Sequence, residues 1–303
     1  MYNESMKKLS RGQRVRVLAA LCEGCSVNAT VRMTGVSKPT ILKLLLDMGR
    51  ACLNHEDDTL RDLPCQRIQA DEVWGFCGAK DKNVKPENRG NADFGSVWTW
   101  VAVCPDSKMI VSWLMGDRDG GHAHAFMHDL ASRLQSRPQL STDALGHYAA
   151  AVLDAFDRLG VDYAQVHKVY GRDASDETRY SPSTCIGCEK RAVYGRPVAK
   201  HVSTSHVERS NLTLRMTQRR WTRLTNAHSK SFRNMEAAFA IHAFHYNWCR
   251  THMTLGTTPA VAAGVADHVW TLEEMVGLLE AQEQAAIDAG ALKRGPYKKR
   301  EKA

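Results

Sequence analysis

Gln66–Phe76 reads Q-R-I-Q-A-D-E-V-W-G-F. Ile68, Ala70 and Val73 are small or branched apolar residues of the kind that fill a buried strand. The pair Asp71-Glu72 interrupts them, and a carboxylate inside a strand is costly to bury unless it is paired or holds a cation. Asp71 therefore needs partners from elsewhere in the chain. Asp143 ends the short run Gln139–Thr142, which reads as a strand, and Glu208 lies in Ser205–Asn211, which reads as helix. Two carboxylates on strands and one on a helix form the pattern of a two-metal phosphoryl-transfer site. Such sites hold Mg²⁺ or Mn²⁺ ions about 4 Å apart on hard oxygen donors, which is why Asp and Glu serve and Cys does not. Each acid alone has a plainer explanation: Asp71 as a strand-edge charge, Asp143 as a helix N-cap, Glu208 as a solvated helix residue.

The order of elements turns that balance. After the Asp71 strand, Lys80–Asn91 is a polar hairpin connection, and Val97–Cys104 and Met109–Gly116 are two further strands. Trp98, Trp100 and Trp113 are expected to cover the sheet. Ala123–Leu134 reads as helix, Leu140–Thr142 as a strand, His147–Leu159 as helix and Val161–Tyr170 as a fifth strand. Thr204–Thr217, Ser229–Cys249 and His268–Ala289 are helical. Three consecutive strands, helix, strand, helix, strand fits an α/β domain of the ribonuclease H type, a five-stranded mixed sheet with flanking helices. That domain is expected over 65–252, with a polar, irregular insertion at about 171–200. A C-terminal helical segment and a basic tail occupy 253–303.

Residues 1–50 read as an all-α helix-turn-helix unit, and 51–64 as a polar linker. Gln13–Leu21 is amphipathic and Glu23-Gly24 ends it; Ser26 caps a second helix over Asn28–Met33; Gly35 makes the turn. Ser37 caps a third helix with Pro39 in its first turn, where proline is tolerated. Ile41, Leu44, Leu45 and Met48 are its buried stripe. In this motif the third helix enters the DNA major groove, here led by Ser37, Lys38, Thr40 and Lys43. An ordinary three-helix packing unit is the plainer alternative.

Composition agrees with a DNA partner without proving one. The 303 residues carry a formal net charge of +8, and 43% are hydrophobic, which fits a globular chain. No apolar run is long enough for a membrane span, and Met1–Lys8 has no signal-peptide character, so a cytoplasmic protein with reduced thiols is expected from the nine scattered cysteines. Between Arg209 and Arg233 every charged residue is basic. Arg209, Arg215, Arg219 and Arg220 of that run form a candidate phosphate track beside Glu208, with Arg215 two helical turns along the same face. Cys185-x-x-Cys188, with His201 and His206 downstream, is a single CxxC, and a structural zinc is not expected there because a closed site needs four ligands.

Several stretches together resemble one family. They are A-D-E-V-W-G-F at Ala70–Phe76, S-T-D-A-L at Ser141–Leu145, H-V-E-R-S-N-L-T-L-R at His206–Arg215, Y-N-W-C-R-T-H at Tyr246–His252 and T-P-A at Thr258–Ala260. The chain resembles bacterial DDE transposases of the insertion sequence 1 family from about Arg11 to Trp270. The resemblance implies a ribonuclease-H-like core and a triad of Asp71, Asp143 and Glu208 holding two Mg²⁺ or Mn²⁺ ions. It implies cleavage and strand transfer at the ends of a mobile element, and a homodimer or larger assembly bridging element-end and target DNA in the bacterial nucleoid. Family members often carry a Cys-rich zinc module ahead of the helix-turn-helix, whereas the residues before Leu9 contain no cysteine. Two other readings compete: a helix-turn-helix regulator with a silent core, which would be expected to lack a carboxylate, and a plain endonuclease on the same core.

Overall fold

The computed structural model describes residues 8–171, 185–222 and 225–290. The basic tail from 291 onward lies outside them. Three helices come first: α1 (Arg11–Cys22), α2 (Val27–Thr34) and α3 (Lys38–Thr59). Ser10 and Gln13 form a capping box at α1, and the Ser26 hydroxyl accepts from the Ala29 amide at α2. Gly35 then takes a left-handed turn at φ 72°, a conformation glycine adopts without strain. Ser37 does not cap α3 as expected; its hydroxyl instead shares a 2.8 Å hydrogen bond with that of Thr40.

The expected linker at 51–64 is largely helix. α3 continues to Thr59 because Ala51 and Cys52 are buried and the acids Glu56-Asp57 are spoken for. Glu56 accepts from Trp113 Nε1 at 3.0 Å, and Asp57 pairs with Arg133 at 2.6 Å. The acids that made the segment look solvated are tertiary contacts.

The sheet is built from β1 (Arg67–Cys77), β2 (Gly95–Val103), β3 (Ile110–Gly116), β4 (Gln139–Asp143), β5 (Asp162–Tyr170) and β6 (Cys185–Tyr194), with α4 (Gly120–Arg133) between β3 and β4 and α5 (His147–Ala155) between β4 and β5. Its order is β3-β2-β1-β4-β5-β6. β1, β2 and β3 are antiparallel neighbours, β1, β4 and β5 are parallel, and β6 is antiparallel to β5. The sheet therefore has six strands where five were expected. β6 lies inside the stretch read as an irregular insertion. Its described side chains are mostly exposed, so it has no apolar alternation to betray it.

Helices follow as α6 (Ser205–Thr217), α7 (Phe232–Phe244), the short α8 (Pro259–Ala262) and α9 (Leu272–Asp288). α6, α7 and the second half of α3 lie on one face of the sheet, with α1 and α9 packed on α3, and α4 and α5 cover the other face. Register shows the division. Asp71 stands opposite Val101 and Val101 opposite Trp113, which packs on Phe239 of α7 at 4.7 Å. Glu72 stands opposite Trp100, which meets Phe126 of α4 at 5.9 Å and Tyr148 of α5 at 5.5 Å. Gly49 marks a close helix crossing: a Cβ there would lie 2.6 Å from the Ala237 Cα, so the backbones of α3 and α7 approach closely.

α9 returns to the N-terminal helices. Arg14, 4% exposed, makes two bonds of 2.9 and 3.1 Å to Glu283. One continuous core thus runs from Leu18 and Ile41 through Trp100 and Phe239 to Trp248 and Met275. No helix among the described residues is long and apolar enough to cross a membrane.

Candidate metal centre and nucleic-acid interface

β1 and β4 lie side by side, and their register pairs Ala70 with Thr142. The next residue on each strand is Asp71 and Asp143, so parallel pairing alone brings these two acids together. Glu72 joins them: Asp71, Glu72 and Asp143 each offer a carboxylate oxygen within 4.8 Å of the others. Glu72 points to the opposite face of β1 from Asp71, as alternation demands, and approaches Asp143 at the strand end.

Glu208 comes from α6, and β1 itself seats that helix. The first turn of a helix leaves amides without intrahelical partners, and Thr204 supplies no side-chain cap. Gln69, buried and two residues before Asp71 on the same face, accepts from the amides of His206 at 2.8 Å and Val207 at 3.3 Å. One turn on, Asn211 Nδ2 donates to Asp71 Oδ2 at 3.0 Å. Glu208 and Asn211 are three apart and share a helix face, so Glu208 is presented toward Asp71. It stands outside the 4.8 Å group because its carboxylate is engaged by the Thr204 hydroxyl and by Lys168 Nζ of β5 at 2.5 Å.

Electrostatics set the Asp71 site apart. Burial, then the Asp143 charge, raises the Asp71 carboxyl to about 6; Glu208 adds to the rise, while hydrogen bonds from the Glu72 backbone and Asn211 oppose it. Burial and Asp143 likewise raise Glu72 to about 7. The counter-charge is Arg118, 3.0 Å from Glu72 and 3.6 Å from Asp143, its guanidinium stacked on Trp98 at 4.6 Å. Asp143 Oδ1 also accepts from the Leu145 amide at 3.0 Å, which fixes the turn leaving β4. All the converging donors are carboxylate oxygens, the set that hard divalent cations take.

Sequence reading left out Glu72 as a member of the cluster, along with Gln69, Asn211, Arg118 and Lys168. Gln69 and Asn211 had usable signals, two residues from Asp71 on a strand and three from Glu208 on a helix. Arg118 and Lys168 had none, since only the fold brings them in.

The residues expected on DNA occupy varied settings. Ser37 and Lys38 are exposed at the start of α3, and Thr40 is partly exposed. Lys43 is exposed and bonded to Asp47 at 2.5 Å. Arg209 and Arg219 are exposed, Arg215 is half-buried, and Arg220 is half-buried beside Cys77, where desolvation lowers its guanidinium pKa. Of the CxxC pair, Cys188 is exposed and the Cys185 side chain lies outside the described residues. His201 faces Arg67 at 2.9 Å and His206 faces Lys108 at 3.2 Å.

No protein-family model and no curated protein matches the chain. Solved structures similar to part of it include a Mos1 transposase paired-end complex with left transposon end, at 15% identity over 54% of this chain and 61% of that one, with a TM-score of 0.24. The chain thus spans less than two thirds of that transposase. The Mos1 Strand Transfer Complex is similar at 12% identity over 97% of this chain and 83% of that one, with a TM-score of 0.33. A piggyBac transposase synaptic complex with hairpin DNA is similar at 8% identity over 98% of this chain and 76% of that one, with a TM-score of 0.37. Likeness at these scores says nothing of what this chain does.

Proposed function

We propose that the chain is a DDE-type DNA transposase with a ribonuclease-H-like core, cutting and joining DNA at the ends of a mobile element. The observation that carries this reading is the convergence of Asp71 and Asp143 on adjacent parallel strands, with Glu208 presented from α6 beside them. Burial, with the neighbouring Asp143 charge second, raises the Asp71 pKa to about 6, a perturbation of the kind found at functional sites. Two Mg²⁺ or Mn²⁺ ions held by Asp71, Asp143 and Glu208 would supply the charge stabilisation that phosphodiester cleavage needs.

The chain's own residues do the positioning. Asn211 fixes one oxygen of Asp71 and the Leu145 amide fixes one of Asp143, whose other oxygen faces Arg118 at 3.6 Å and would have to exchange that cation for a metal ion. Lys168 holds Glu208 at 2.5 Å, and Glu208 would have to leave it to join a metal ion beside Asp71. Glu72 is the rival third ligand, but its side chain is 1% exposed and neutralised by Arg118, which suits a structural role.

In the same reading α2, the Gly35 turn and α3 act as a helix-turn-helix. Ser37, Lys38, Thr40 and Lys43 meet the element end, and Arg209, Arg215, Arg219 and Arg220 follow the backbone as phosphate contacts. The protein works as a homodimer or larger assembly on two ends, in the bacterial cytoplasm at the nucleoid.

The test is cleavage of a labelled fragment carrying the DNA that flanks the gene, in Mg²⁺, beside a gel-shift of the same fragment. Asp71→Asn, Asp143→Asn and Glu208→Gln should abolish cleavage and keep binding, whereas Glu72→Gln should keep measurable cleavage. A parent protein that binds without cutting would make it a regulator. A Glu208→Gln variant that cuts like the parent would move the third ligand to Glu72.

A further inference from the structure

We propose that His124, His128 and Asp154 form a transition-metal site, best suited to Zn²⁺, that staples α4 to α5. His124 and His128 are four residues apart on α4, so their rings stand one above the other on one face. Asp154 reaches them from α5. Its Oδ2 lies 3.2 Å from His124 Nδ1 and 2.8 Å from His128 Nε2, and one ligand atom from each residue falls within 4.8 Å of the other two. Two imidazoles and a carboxylate are a three-ligand zinc set that leaves a fourth position for water. Imidazole donors also separate this site from the all-oxygen cluster at Asp71, which suits harder ions.

The three side chains are 42%, 55% and 58% exposed, so an ion reaches them from solution without any opening of the fold. A third ligand group, Asp117, Asp119 and His122, has a simpler purpose: Asp119 caps α4 through the His122 amide at 2.8 Å and holds the His122 ring at 2.9 Å. No comparable backbone duty falls on His124, His128 or Asp154. The staple would stiffen the layer behind the acidic centre, because α4 carries Phe126 and α5 carries Tyr148, both against Trp100.

The experiment is a calorimetric Zn²⁺ titration of the untagged full-length chain in excess Mg²⁺, with melting followed in parallel. One Zn²⁺ should bind per chain at this site, and at ~100 times its dissociation constant the melting temperature should rise by roughly 4 °C. His124→Gln, His128→Gln and Asp154→Asn should each weaken binding by at least the ~10–100-fold that loss of even an outer-shell partner costs. Their metal-free melting should match the parent's, since the side chains are exposed. Asp71→Asn should bind Zn²⁺ as the parent does. Folded His124→Gln and His128→Gln variants that bind Zn²⁺ like the parent would overturn the proposal, as would loss of Zn²⁺ binding in Asp71→Asn.

Discussion

Asp71→Asn should make the protein more stable in chelator and blind to Mg²⁺. The folded carboxyl titrates at about 6, raised first by burial and then by Asp143, against about 3.9 for an unfolded aspartate. A raised carboxyl costs stability once it ionises. Below about pH 4 the folded and unfolded chains both carry the proton and the cost is absent. Between about pH 4 and 6 the folded chain binds the proton more tightly, so stability falls as pH rises, and above 6 the loss is complete and constant. Two units correspond to about 3 kcal/mol at most. Asp71 is only half-buried and shares its repulsion with Asp143, which brings the expected gain for Asn to about 1–2 kcal/mol. Asn keeps the shape and an acceptor for Asn211. The gain reads as roughly 1.5–3 °C in melting temperature at pH 7.5 in chelator, and it should vanish at pH 4. Mg²⁺ at ~100 times its dissociation constant should stabilise the parent by about 2.7 kcal/mol and leave the variant nearly unmoved. An Asn variant less stable than the parent at pH 7.5, or equally stabilised by Mg²⁺, would refute the charge-crowding account.

Three further outcomes follow from named contacts. Lys38→Ala should lower the slope of log affinity against log salt by about one, while Lys43→Ala, whose charge is already engaged by Asp47, should change it less; equal effects in a gel-shift series would place both on phosphate. Arg118→Ala leaves the buried Glu72 carboxylate without its 3.0 Å partner and should cost about 1–3 kcal/mol by urea midpoint, a loss that adding Glu72→Gln should largely restore; no restoration would mean that Arg118 acts through Trp98 alone. Glu56 is raised by burial to about 8, so the parent should lose stability from about pH 4.5 to 8, whereas Glu56→Gln, which keeps an acceptor for Trp113, should gain on the parent across that window; a constant difference between pH 5 and 9 would refute it.

The strands nearest the site were legible because both periodicity and chemistry mark them. Asp71 stands out against Ile68, Ala70 and Val73, and the order of elements around it emerged from apolar runs and turns. What stayed hidden was hidden for stated reasons. β6 is an edge strand with solvent around its described residues, so no alternation was written into it. The second half of α3 was masked by Glu56, Asp57 and Asp58, because acids read as solvated until Trp113 and Arg133 are seen to meet them. Glu72 was visible as a neighbour of Asp71 but not as a member of the acid group, since alternation sends it to the other face; only the end of β4 brings the two faces together at Asp143.

The helix that presents Glu208 is clamped at both ends. At its start, Gln69 of β1 takes the first amides of α6. At its end, Gln218 donates to the Leu21 carbonyl at 3.4 Å, and the turn after α1 packs so closely that a Cβ on Gly24 would lie 2.3 Å from the Thr217 carbonyl oxygen. Gly24 also sits at φ 76°, so glycine is required there on two independent counts. α1 is in turn held to α9 by Arg14 and Glu283, and α3 is pressed on α7 at Gly49. Among the described residues, the leading edge of α3 is thus joined to the core through packed helices. The seat of Glu208 beside Asp71 therefore rests on contacts from β1 and from the turn after α1 as well as on α6 itself.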